Sequence, residues 1–221
     1  MLKLYHTPLS FNSRRVWMAL IEKNLEFELV EVKLDGDQFK PEFLELNPFH
    51  HIPVLVDGDF KVFESLAILD YLEAKYPQLA LLPSDPQALA KVRMVEMVTV
   101  NELAPVFMQL FMETIGMEES NAEKAEKQKQ QVNTVLQFFE SCLGEGLYFG
   151  GETINRADIV AGTIVYRLPM FDVSLDGYEK LSGWCKRLQK LPSWKKTEVS
   201  PVEVAKFIAT RKAMLQKSSN G

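Results

Sequence analysis

Residues 49–65 constrain the fold of this chain most strongly, because they combine two short strands, a tight turn and a helix start in one stretch. Val54, Leu55 and Val56 form a short apolar strand, and Asp57-Gly58 is a dipeptide that two-residue hairpin turns favour. Residues 61–63 resume the extended pattern. Apolar residues at helical spacing then follow, namely Leu66, Leu69, Tyr71, Leu72 and Tyr76. The stretch predicts a β-hairpin that runs into a helix.

Pro53 stands at the head of the first hairpin strand, where its missing N–H restricts it to an edge, a strand start or a cis turn. A cis Ile52–Pro53 bond would turn the backbone N–H and C=O of Ile52 outward, where an extended peptide can pair with them. Ser65 would lie a hairpin's length away, at a helix N-terminus that favours a carboxylate. These residues predict a site that pairs with a small peptide and binds its anionic end.

The first third of the chain alternates between strand and helix patterns. Strands are predicted over residues 2–5 and 26–34, a helix over 14–23 and a short helix over 41–46. Three residues are possible N-caps of the first helix, namely Ser10, Asn12 and Ser13. This order predicts an α/β thioredoxin-like N-terminal domain over residues 1–78.

The remainder of the chain has only helical patterns. Residues 79–87 contain two closely spaced prolines and are predicted to be a linker. An all-α C-terminal helical domain is predicted over 88–221. Its helices are expected over 88–115 with a bend at Pro105, and over 122–143, 178–190 and 202–215. Asn155 and Asp158 have the spacing of a capping box, which predicts a helix start there.

Composition excludes several classes of function. The net charge of −5 argues against a nucleic-acid partner, and no apolar run approaches the roughly 20 residues that a membrane span needs. The two cysteines, Cys142 and Cys185, form neither a CxxC motif nor a zinc spacing. The adjacent His50 and His51 would point to opposite sides of an extended chain. We therefore expect a cytoplasmic protein without a secretion signal, a membrane span or a metal site.

Several motifs resemble the glutathione S-transferase family. Asn47-Pro48, residues 52–55 and Glu64-Ser65 are similar to the glutathione-binding half of that family, and residues 8–16, 154–159 and 191–194 are similar to other parts of it. The resemblance covers nearly the whole chain. It implies a glutathione transferase that conjugates the glutathione thiolate to small apolar electrophiles in detoxification, and a homodimer. Alternatives on the same fold are a glutathione-dependent isomerase or peroxidase, or a non-catalytic glutathione-binding scaffold.

The resemblance implies the serine type of the family, theta-like, phi-like or bacterial. Ser10 keeps the family's spacing to Arg15 and Val16, and its hydroxyl would donate to the glutathione sulfur and favour the thiolate. Ser13 is the alternative donor. If Ser13 is not the donor, the expected role of its hydroxyl is to cap the first helix.

The glutathione-binding set also follows from the resemblance. Ile52, which precedes Pro53, would pair through its backbone with the cysteinyl part, and Glu64 and Ser65 would hold the γ-glutamyl end. The glycyl carboxylate needs a donor, for which the candidates are Gln38 and His51. Here the chain departs from the pattern of many relatives, which have a histidine at position 38 and a lysine or glutamine at position 51.

The electrophile would lie against apolar side chains of the helical domain. Methionine and phenylalanine give adaptable apolar walls, and five such residues are candidates: Met94, Met97, Phe107, Met108 and Phe111. For each of these residues the alternative is an ordinary place in the core between helices.

Overall fold

The structure is a computed structural model that describes residues 1–34 and 36–218. The chain forms two compact units. The first contains residues 1–83 and 190–198, and the second contains residues 84–189 and the segment that begins at Val199.

The first unit contains a sheet whose strands, among the described residues, are β1 (Leu2–His6), β2 (Phe27–Glu31), β3 (Val54–Asp57) and β4 (Phe60–Phe63). Their order is β2-β1-β3-β4, with β1 and β2 parallel and the other neighbours antiparallel. The predicted hairpin is β3 and β4, but its two turn residues are Gly58 and Asp59 instead of Asp57 and Gly58, because Asp57 still pairs with Phe60 at the end of β3. Gly58 has a positive φ of +61°, which the first residue of such a turn can require. Strand β2 is shorter than predicted, because the chain turns after Val32 and the Lys33 N–H donates to the Asp37 carboxylate.

The helices of the described residues follow in chain order. They are α1 (Phe11–Glu22), α2 (Pro41–Leu44), α3 (Ser65–Lys75), α4 (Pro86–Val98), α5 (Ala104–Ile115), α6 (Ala122–Leu143), α7 (Arg156–Val165), α8 (Glu179–Leu188), α9 (Pro192–Thr197) and α10 (Pro201–Ser218). The thioredoxin-like α/β fold class of the N-terminal part and the all-α class of the C-terminal part are therefore confirmed.

The helix predicted over 88–115 is α4 and α5 joined by a wider π-helical turn over Thr99–Leu103. Pro105 has no amide hydrogen, so the regular bonding pattern fails there, and the Ala104 N–H donates to the Thr99 carbonyl. The expected irregularity at Pro105 is thus a π turn just before it.

The helical unit packs around α7, every residue of which is buried. The predicted capping box is present at its start. The Asn155 side chain accepts from the Ala157 N–H, and the Asp158 carboxylate accepts from the Asn155 N–H. Inside the unit, Arg156 Nε donates to Glu96 Oε1 at 2.8 Å, and both side chains are fully buried.

The C-terminal segments differ in part from the predicted layout. Residues 190–198, which include α9, belong to the first compact unit, although the sequence pattern groups them with the helical domain. The reason is long-range packing of α9 on α1, which a local pattern does not reveal. The last helix, α10, runs three residues past the predicted end at 215, and residues 219–221 of the expected polar tail lie outside the described residues.

Candidate active site

The site is built where three strand ends lie side by side. Tyr5 of β1 pairs with Val54 of β3, which in turn pairs with Phe63 of β4. The segments that follow β1, precede β3 and follow β4 therefore leave the sheet at the same end. This topology gathers three of the predicted site segments, residues 7–10, 52–53 and 64–65.

Ser10 is placed by a tight turn and by the start of α1. The Ser10 N–H donates to the Thr7 carbonyl at 3.0 Å, and Pro8 occupies the turn position that favours proline. Ser10 is the N-cap of α1, and its Oγ accepts from the Ser13 N–H at 3.2 Å. Its hydroxyl proton has no acceptor among the described residues and the side chain is partly exposed. Ser10 can therefore cap the helix and donate to a ligand at the same time.

Ser13 has a different environment. The prediction that its hydroxyl caps α1 is wrong, because Ser10 is the cap and Ser13 supplies the N–H that is capped. Ser13 is 1% exposed, and its Oγ accepts a long bond from the Thr7 N–H at 3.4 Å. A hydroxyl buried in this way is poorly placed to reach a bound thiol.

The Ile52–Pro53 bond is cis, as the position of Pro53 predicts. The backbone N–H and C=O of Ile52 form no hydrogen bond with other residues in the described part of the chain. The preceding loop is held by Asn47, a fully buried side chain that donates to the His51 carbonyl at 2.8 Å and accepts from the Phe49 N–H at 3.0 Å. The Asn47-Pro48 motif in the sequence does not reveal that the Asn47 amide organises this loop.

The start of α3 lacks a side-chain cap. Glu64 precedes the helix with a φ of +67°, which is uncommon for a residue other than glycine, and its side chain is exposed. Ser65 is the first helical residue and is 8% exposed. The Ser65 N–H therefore lies at the positive end of an eleven-residue helix, which favours an anion such as a carboxylate.

The two candidate donors for the glycyl end lie on separate segments, Gln38 in a single 3-10 turn over Asp37–Phe39 and His51 in the loop before β3. Gln38 Oε1 accepts from the Gly36 N–H at 3.2 Å, so the amide nitrogen is the group that can donate to a ligand. The His51 side chain is exposed, and its ring lies 5.5 Å from the ring of His50. A cluster of potential metal ligands is not found among the residues that the structure describes.

The five residues predicted to line an electrophile site all lie in the helical unit, with different exposures. Met94 and Met97 are 50% and 42% exposed. Phe107 is 4% exposed and contacts Phe171 edge to face, so it belongs to the core of this unit instead. Met108 is partly buried, and the Phe111 ring stacks on Phe207 at 6.2 Å.

Comparison with known proteins decides the family. Residues 4–80 match the family described as Glutathione S-transferase, N-terminal domain, and residues 103–192 match the Glutathione S-transferase, C-terminal domain. The chain is 34% identical over 205 residues to a glutathione S-transferase of Hyoscyamus muticus, an alignment that covers 88% of this chain and 96% of the relative. The chain belongs to the glutathione S-transferase family. As a member it is a transferase with glutathione as co-substrate.

Other members of the glutathione S-transferase family match along most of the chain. Glutathione S-transferase F14 of Arabidopsis thaliana is 32% identical over 229 residues, covering 97% of this chain and 90% of the relative. A solved delta-class glutathione transferase of Nilaparvata lugens superposes with a TM-score of 0.82 at 25% identity, covering 97% of this chain and 99% of the other. Glutathione transferase F7 of Populus trichocarpa gives a TM-score of 0.78 at 26% identity, with coverages of 89% and 97%.

The protein's own thiols are poor nucleophiles, which suits a glutathione S-transferase whose thiol arrives with the ligand. Burial raises the pKa of Cys185 to about 12. Burial also raises the pKa of Cys142, against the opposing effect of Lys91. At the end of β1, burial lowers the pKa of His6 despite the nearby Glu31, which favours the neutral form of its ring. Among the described residues, no helix has the length and apolar character that crossing a bilayer requires.

Proposed function

We propose that this protein is a serine-type glutathione transferase in which the Ser10 hydroxyl donates to the glutathione sulfur and stabilises the thiolate. The observation that carries the proposal is the double role of Ser10. Its Oγ accepts the Ser13 N–H and its O–H is still available to a ligand. Ser10 also lies on one of the segments that leave the sheet at the end where Ile52 and the start of α3 lie.

One such hydroxyl can supply the stabilisation of the thiolate that this role requires. A free thiol has a pKa of about 8.5, and lowering it by about 2 units needs about 2.7 kcal/mol of preferential thiolate stabilisation. One hydrogen bond to a charged acceptor contributes about 1.5–3 kcal/mol. The N-terminus of α1 adds a favourable dipole for a nearby anion.

The remaining contacts of glutathione are proposed from the same segments. The unpaired backbone groups of Ile52, next to the cis Pro53, support pairing with the cysteinyl residue. The uncapped start of α3 supports binding of the γ-glutamyl end of glutathione. Ser65 and its backbone amide would take the carboxylate of that end, and Glu64 would contact the same end without meeting the carboxylate. The glycyl carboxylate is assigned to the Gln38 amide or the His51 imidazole.

The partner substrate is proposed to be a small apolar electrophile, conjugated in a detoxification role. Four residues remain candidates for contacting it, namely Met94, Met97, Met108 and Phe111, whereas the buried Phe107 does not. We also propose a homodimer in the cytosol. The two free cysteines support a reducing setting.

The experiment compares Ser10→Ala with Ser13→Ala, using chlorodinitrobenzene or an isothiocyanate as electrophile. Ser10→Ala is expected to lower kcat about 10- to 100-fold, because it removes about 1.5–3 kcal/mol of thiolate stabilisation. Ser13→Ala is expected to leave kcat within about threefold, and Ser10→Thr, which keeps the hydroxyl, is expected to restore most of the activity. If Ser10→Ala and Ser13→Ala both lowered kcat by the same small factor, the proposal that Ser10 stabilises the thiolate would be wrong.

A panel of isomerase and peroxide substrates checks the reaction type. Conjugation is expected to exceed both other reactions. Retention on immobilised glutathione without thiolate absorbance in the bound complex would indicate a binding protein instead.

A further inference from the structure

A buried arginine joins the first turn of α1 to a segment far away in the sequence. Arg14 is 1% exposed, and its Nε donates to Thr197 Oγ1 at 3.1 Å while its Nη2 donates to the Trp194 carbonyl at 3.3 Å. The guanidinium carbon lies 4.1 Å from the centre of the Trp194 ring, within the range of cation–π attraction. Because residues 190–198 belong to the same compact unit as α1, these contacts lie within one unit.

Arg14 is also tied to Ser10 through the backbone. The Arg14 N–H donates to the Ser10 carbonyl at 2.9 Å, which closes the first turn of α1. The Ser13 N–H holds the Ser10 hydroxyl oxygen from the same turn at 3.2 Å. Any displacement of this turn therefore moves the hydroxyl with it.

We propose that Arg14 is a positioning residue: with Trp194 and Thr197 it anchors the first turn of α1 and thereby aims the Ser10 hydroxyl at the bound sulfur. This inference rests on the proposed function. A misplacement of about 1 Å at a reacting group can cost up to about a hundredfold in rate. The groups proposed to bind the rest of glutathione lie on other segments, so the anchor acts on ionisation of the thiol more than on affinity for glutathione.

The opposite end of α1 offers a matched control. Lys23, the C-cap residue, is 4% exposed, and its Nζ donates to Glu73 Oε1 at 3.1 Å and to the carbonyls of Gln78 and Leu79 at 3.4 and 3.3 Å. Like Arg14, it is a buried cation that fastens α1 to another segment of the first unit. It differs in lying at the helix end remote from Ser10.

The test uses Arg14→Met and Lys23→Met in the full chain. It measures thermal unfolding, KM for glutathione, and the pH dependence of kcat/KM with chlorodinitrobenzene. For Arg14→Met we expect the acidic limb of the pH profile to move up by about one unit, so that kcat/KM near pH 6.5 falls about tenfold and recovers at high pH. KM for glutathione is expected to stay within about twofold. Lys23→Met is expected to lower the unfolding temperature without moving the limb.

Thr197→Val is a second, milder variant that removes only the acceptor of Arg14 Nε. It is expected to move the limb in the same direction by a smaller amount. An unmoved limb in both Arg14→Met and Thr197→Val, alongside a moved limb in Ser10→Ala, overturns the anchor and leaves the proposed function standing. An equal movement in Lys23→Met also overturns the anchor, because it would indicate general loosening of α1. An unmoved limb in Ser10→Ala refutes the proposed function and the anchor together.

Discussion

Replacement of Asp158 by alanine is expected to destabilise the helical unit far more than the loss of an ordinary helix cap. The Asp158 side chain is fully buried and accepts three hydrogen bonds. The donors are the Asn155 N–H at 2.9 Å, the Phe149 N–H at 3.0 Å and the Trp184 indole N–H at 2.8 Å. Asn155 is the N-cap of α7, and the other two donors come from further away, so the carboxylate joins the start of α7 to the segment before it and to α8.

The size of the expected destabilisation follows from the loss of the acceptor for these three donors. The cap contributes about 1 kcal/mol, and each of the two other donors, left buried without an acceptor, costs about 1–3 kcal/mol. Asp158→Ala is therefore expected to lower the free energy of unfolding by about 3–7 kcal/mol. Asn155→Ala is the comparison. It removes one acceptor but also a buried Nδ2 that has no partner among the described residues, so its cost should be about 1 kcal/mol or less.

Urea unfolding of the full chain, followed by far-ultraviolet circular dichroism, measures both variants. Tryptophan fluorescence, to which the fully buried Trp184 contributes together with Trp17 and Trp194, gives a second measure of unfolding. A cost for Asp158→Ala no larger than that for Asn155→Ala would refute the reasoning, because it would mean that the Phe149 and Trp184 donors contribute nothing.

Two further predictions concern titratable groups. Hydrogen bonds from Lys75 and, at 2.7 Å, from Tyr71 hold the pKa of the Asp57 carboxyl below its usual value. A carboxyl whose pKa is lowered in the folded state stabilises the fold above about pH 4, and this stabilisation is lost as pH falls. Tyr71→Phe should therefore lower the unfolding temperature at neutral pH, and the unfolding temperatures of variant and wild type should converge near pH 2. Burial raises the pKa of Cys185 to about 12. Labelling of this thiol by a disulfide reagent at neutral pH should therefore be at least about a hundredfold slower than labelling of free glutathione. Faster labelling would show that the structure around Cys185 opens.

Local chemistry made several elements predictable from the sequence. Gly58 determines the position of the hairpin because its turn needs a left-handed residue, although the turn runs over Gly58 and Asp59, one residue later than the predicted dipeptide. The bounds of α6 match the prediction because Asn121 caps its start and Gly144, with a φ of +59°, follows its end. The capping box at Asn155 is equally local.

Other features depend on contacts between residues distant in the chain. By sequence, Ser10, Asn12 and Ser13 could each cap α1. The structure distinguishes Ser13 from Ser10, because Ser13 is buried and its hydroxyl accepts from the Thr7 N–H. The apolar pattern of α5 does not reveal which of its faces is covered, so the sequence leaves open both a ligand contact and a core position for Phe107, and only the structure decides for the core. The packing of α9 on α1 through Arg14 likewise has no local signal.

A crystal structure of the protein with glutathione bound would test the central claim most directly. The account predicts that the sulfur lies within hydrogen-bonding distance of Ser10 Oγ, that the Ile52 backbone pairs with the cysteinyl residue, and that the γ-glutamyl carboxylate meets the start of α3. A sulfur that lies out of reach of Ser10 Oγ, or a tripeptide that leaves the Ile52 backbone unpaired, would contradict it.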